Sequence, residues 1–157
     1  MPPEAARFPD RLRRVRQALL TGDLEALLFL DMKNIRYLTG FTGSDGVFLL
    51  ERHQSLLMVD GRYTTQAGLE AGGIRVFQYR EKLEGIAEII AGEAIKAAGF
   101  EAAALSFEVY GKLKEKVPAL CLYPLTGDLV NIRAIKDEGE IALLRTAAAT
   151  ASRPVRA

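Results

Sequence analysis

The run Val47-Phe48-Leu49-Leu50 is followed by Glu51-Arg52-His53-Gln54 and then by Ser55-Leu56-Leu57-Met58-Val59. Four polar residues between two apolar runs make a loop length suited to an antiparallel hairpin. Upstream, residues 24–30 form a short continuous apolar stretch of the kind expected for a strand buried on both sides, ended by Asp31. Before it, Leu12, Val15 and Leu19 recur at helical spacing after Pro9-Asp10, with Gly22 as a stop, so an amphipathic first helix is predicted with its arginines on the solvated face. Downstream, the pattern predicts a helix over 62–71 closed by Gly72-Gly73, a strand over 74–79, and a long helix over 83–98 capped by Gly99. A strand over 102–107, a helix over 109–117 stopped by Pro118, and a last short strand over 119–123 follow. Strands and helices alternate and one hairpin breaks the alternation. The predicted fold is therefore α/β and three-layered, a mixed sheet of about six strands flanked by helices on both faces.

Composition narrows the function classes. A chain of 157 residues fits one ordinary domain and buries a core without disulfide or metal staples. Lys and Arg number 21 against 20 Asp and Glu, so no net field gathers nucleic acid or an anionic membrane surface. The single cysteine, Cys121, sits in the apolar run Ala119-Leu120-Cys121-Leu122-Tyr123 and reads as a buried strand thiol in a reducing compartment. With His53 the only histidine, a nucleophilic role for it lacks a base. The opening residues lack the apolar stretch of a signal peptide, and no segment reaches the roughly 18 apolar residues of a membrane span, so a cytoplasmic protein is expected. The run Lys112-Leu113-Lys114-Glu115-Lys116 reads as a solvated helix face.

The end of the chain differs from the rest. Residues 135–141 open a new helix whose apolar positions Ile141, Leu144 and Ala148 have no strand after them, and residues 152–157, with Pro154, drop the pattern. The expected division is a domain over 5–134 and a second segment over 135–157.

Three blocks carry a resemblance. Asn34-Ile35-Arg36-Tyr37-Leu38-Thr39-Gly40-Phe41-Thr42-Gly43-Ser44 resembles the signature loop of the creatinase/prolidase amino-terminal domain. Val59-Asp60-Gly61-Arg62-Tyr63 is similar to that family's second marker. Asn131-Ile132-Arg133-Ala134-Ile135-Lys136, through Glu140-Ile141, resembles the linker and opening helix that lead into a catalytic domain. The blocks stand in the family's order and span Arg11 to about Thr150. The resemblance implies a domain of an Xaa-Pro aminopeptidase or prolidase, an intracellular metallopeptidase that cleaves proline-containing peptides with two divalent metal ions (Mn, Co or Zn) in its carboxy-terminal domain. It implies that 135–157 is the linker and first helix of that domain. The family's ligands, two Asp, one His and two Glu, have no matching position in this chain, so no catalytic residue and no metal ligand is assigned. His53, in a hairpin loop, reads as a solvated polar residue. The resemblance further implies a part that shapes the mouth of the active-site cleft, limits substrate length and forms a homodimer contact.

Candidate substrate-binding residues are Tyr37, Phe41 and Arg62. The two aromatics can wall a cleft or close the local core. Arg62 can bridge Asp60 or turn its fork of donors toward a peptide terminus. Gly40, Gly43 and Gly46 match neither a P-loop nor a dinucleotide fingerprint and are expected to serve turns. A free-standing binding or oligomerisation module that has lost the catalytic half is the alternative, since fold alone does not set function.

Overall fold

At the centre of the computed structural model, which describes residues 4–151, lies β1 (Ala26–Phe29), every side chain of which is buried. Strands β2 (Val47–Glu51) and β3 (Ser55–Val59) form the hairpin, with β2 antiparallel to β1 through Leu28↔Leu49 and Phe29↔Phe48. Parallel neighbours complete the sheet: β4 (Arg75–Gln78) beside β3, β5 (Ala97–Glu101) beside β1, and β6 (Cys121–Leu125) beside β5. The six-stranded order is β4-β3-β2-β1-β5-β6, a mixed sheet as the alternation implied.

Period-two alternation divides the inner strands between two cores. Leu28, Leu49 and Met58 face helices α4 (Lys82–Gly92) and α5 (Phe107–Lys116). Leu27, Phe48 and Leu57 face α1 (Glu4–Leu19), α2 (Met32–Thr39), α3 (Thr64–Glu70) and α6 (Asp128–Ala134). Helix α7 (Glu138–Ala151) follows and buries none of its residues.

Several sequence expectations change. The predicted helix over 83–98 stops at Gly92, and Gly99 is not its cap but the middle of β5. Pairing of Ala98 with Ala26 and of Gly99 with Leu27 overrides the local helix pattern. A Cβ at Gly99 would lie 2.9 Å from Leu27 Cδ2, so a side chain here would have to displace the buried Leu27 methyl. The strand expected over 102–107 ends at Glu101, and Ser106 then caps α5 by accepting from Val109 N at 3.2 Å. Cys121 is exposed because β6 is an edge strand, and Leu120 takes the buried position instead. Within the signature block, residues 34–39 belong to α2 rather than to a loop. Asp31 caps its start through Lys33 N at 2.8 Å, and Gly40, at φ 80°, ends it with a left-handed cap. Residues 131–134, the front of the third block, are likewise helical as the end of α6, whose Leu129 is buried. The break expected over 152–157 lies outside the described residues.

Candidate functional site

The carboxyl ends of the parallel strands and the β1–β2 end of the sheet lie together, and both marker blocks converge there. In open α/β sheets this is the end where ligands bind. One side of it is a polar rim around the ends of β3 and β4. Asp60 accepts from Arg62 N at 2.8 Å and from Arg62 Nη2 at 2.7 Å, so the bridge considered from sequence is present. The Arg62 hydrogen bonds hold the Asp60 carboxyl below its usual range, and Asp60 in turn raises Arg62. The Arg62 side chain is 75% exposed and lies 5.4 Å from the Tyr63 ring, which positions a guanidinium at the surface with its direction already set. Tyr63 Oη and Ser44 Oγ are 2.5 Å apart. Asp45 accepts from Tyr79 Oη at 3.1 Å and pairs with Lys82. Burial, followed by the Asp45 charge and hydrogen bond, raises the Tyr79 phenol well above its ordinary value.

Beneath the rim the aromatic residues support rather than face solvent. Phe41 is fully buried and meets the Tyr63 ring edge-on at 5.9 Å. A Cβ at Gly43 would fall 2.2 Å from the Phe41 ring, which accounts for that glycine by packing, not by anion binding. Of the three candidates, only Arg62 presents its polar end to solvent; Phe41 lies below it and contacts it through Tyr63.

Tyr37 is carried away from the rim by α2. Its ring is 7% exposed and lies 4.1 Å from the Arg11 guanidinium carbon and 5.9 Å from that of Arg133. Its hydroxyl has no hydrogen-bond partner among the described residues, and burial raises its pKa. Close by, the buried Glu101 carboxylate at the end of β5 accepts from Leu30 N at 2.7 Å, Asp31 N at 2.8 Å and Asn34 Nδ2. Asn34 Oδ1 accepts from Arg133 at 2.7 Å. A cavity of about 120 Å³ opens against Phe29, Asp31, Asn34, Glu101 and Leu129, below the 300–1,000 Å³ usual for ligand pockets.

Sequence reasoning missed Arg11, Asn34, Asp45, Lys82 and Glu101. The arginine was assigned to a solvated face because helical periodicity cannot distinguish a charge that finds its partner 126 positions away. The spacing Asp137-x-x-Glu140 did carry a readable signal, since it is a capping-box pattern.

The model of the Creatinase/Prolidase N-terminal domain matches residues 11–135. The chain belongs to this family. Among relatives of the creatinase/prolidase domain, "Uncharacterized peptidase YqhT" of Bacillus subtilis (strain 168) is 27% identical over 139 residues, covering 88% of this chain and 39% of the relative. An Xaa-Pro dipeptidase from Bacillus anthracis superposes with a TM-score of 0.81 at 27% identity, over 88% of this chain and 39% of that one. The N-terminal domain of cytoplasmic peptidase PepQ from Mycobacterium tuberculosis H37Rv gives 0.67 at 26% identity, over 80% and 97% of the two chains. The chain thus spans about two fifths of the length of the first two.

A two-metal site does not fit the creatinase/prolidase domain described here. Among the described residues no three His, Cys, Asp or Glu side chains converge. The nearest acids are already committed, Asp60 to Arg62, Asp45 to Lys82 and Tyr79, and Glu101 to three N–H donors. Bridging two divalent ions takes several convergent carboxylates, and the described residues do not bring such a set together.

Proposed function

We propose that the chain is the non-catalytic amino-terminal domain of a cytoplasmic, proline-specific metallopeptidase, an Xaa-Pro aminopeptidase or dipeptidase. It borders substrate entry and contributes a homodimer contact. The family match over residues 11–135 carries this reading, and the Xaa-Pro names of similar structures support it. In this reading the metals (Mn, Co or Zn) and their ligands belong to the additional length of the relatives.

The chemistry asked of the domain is recognition. Arg62, held by Asp60 and flanked by Tyr63, offers outward N–H donors to the carboxylate end of a short proline-containing peptide. Phe41 and Gly43 keep Tyr63 in place from below. A titration of the purified chain with a short Xaa-Pro peptide tests this, beside a hydrolysis assay with added manganese or cobalt. Measurable binding that Arg62→Ala weakens about tenfold, the worth of one charge-assisted contact, is expected, with no turnover. Binding indifferent to Arg62→Ala removes Arg62 from the reading. Turnover that a chelator abolishes overturns the non-catalytic assignment.

A further inference from the structure

We propose that Arg11 is a latch that sets the direction in which α7 leaves the sheet domain. Helix α7 buries none of its residues, and Leu143 and Leu144 are 63% and 55% exposed, so apolar packing does not hold it against the body. Contacts from its first turn and its cap reach back to the body. Asp137 Oδ2 accepts from Arg11 Nη2 at 2.7 Å and from Nε at 3.2 Å, and Glu140 Oε2 lies 3.3 Å from Nη2.

The guanidinium is itself fixed on its other side. Nη1 donates to Tyr37 O at 2.9 Å, the Tyr37 ring packs on it at 4.1 Å, and the residue is 5% exposed. One planar fork therefore joins α1, α2 and the start of α7, a task its fixed donor geometry suits and a lysine's single ammonium does not. The acids have a second duty: Asp137 Oδ1 accepts from Glu140 N at 2.8 Å and Glu140 Oε2 from Asp137 N at 3.0 Å, a capping box. The helix start and its attachment thus use the same two carboxylates. Removing Arg11 frees the direction of α7 while the cap still holds the helix together. The latch does not depend on the peptidase reading.

The test measures a distance between spin labels on the native Cys121, exposed on β6, and on an Ala148→Cys substitution in α7. The chain with Arg11 intact is expected to give one narrow distribution. Arg11→Met is expected to broaden it at least about twofold with unchanged far-ultraviolet circular dichroism, and Arg11→Lys to fall between them. An Asp137→Asn, Glu140→Gln double variant, altered outside the core and still able to cap through Asn, should broaden it equally and serves if Arg11→Met does not fold. An equally broad distribution with Arg11 intact, or unchanged width in both Arg11→Met and the double variant, would overturn the proposal.

Discussion

Glu101 ends β5 with its carboxylate turned onto the backbone of the β1–α2 junction, where it takes hydrogen bonds from Leu30 N, Asp31 N and Asn34 Nδ2. Truncating it leaves these donors short of an acceptor at the floor of the small cavity. Glu101→Ala is therefore expected to cost about 3 kcal/mol, read as a lower urea midpoint with an unchanged m-value. Loss within the error of that measurement would mean that water replaces the carboxylate. Nothing in the local sequence marks this residue, because Glu101 and the backbone it serves are some 70 positions apart. Arg62 and Asp60 are the opposite case: two residues apart, they show their pairing in the sequence itself.

At the level of elements, the sheet edges depart furthest from the sequence reading. The run around Cys121 is apolar enough for a buried strand, yet β6 pairs on one side only, with β5, and alternate side chains face outward. The exposed thiol is expected to react fully with a disulfide reagent in native buffer, at a rate that denaturant raises only slightly. Reaction that waits for unfolding would return Cys121 to the core. Helix α2 illustrates the same limit, since Asp31 and Gly40 are ordinary cap residues at the two ends of an eight-residue helix. Both caps are present in the sequence, but Asp31 reads there as the end of the preceding strand and Gly40 as part of the signature loop.

Across the whole molecule, two buried phenols make stability depend on alkaline pH. Burial is the largest cause of the raised pKa at both Tyr37 and Tyr79, with the Asp45 charge adding to it at Tyr79 and the Arg14 and Arg11 charges offsetting it in part at Tyr37. In the unfolded chain these groups lose their protons near pH 10, whereas the folded chain retains them to higher pH. Their contribution is therefore complete below pH 10 and is lost as pH rises through the folded-state values. Thermal midpoints measured from pH 8 upward should fall beyond pH 10, and Tyr79→Phe should flatten the decline. A decline of the same steepness in that variant would assign it to other groups.

Much of the architecture followed from the sequence because its causes are local. Apolar runs of strand length, a four-residue polar connection and alternating helices specify a mixed three-layer sheet through periodicity alone, and three short blocks carried the family. Tertiary structure decided where periodicity gives no answer. It ended the expected helix early and turned Ala97 and Ala98, with the expected cap Gly99, into strand by pairing with β1, buried Arg11 against Asp137 across the chain, and placed Phe41 beneath Tyr63. Each of these outcomes depends on a partner distant in sequence, and the free energy of pairing and burial is set only when the chain brings that partner into contact.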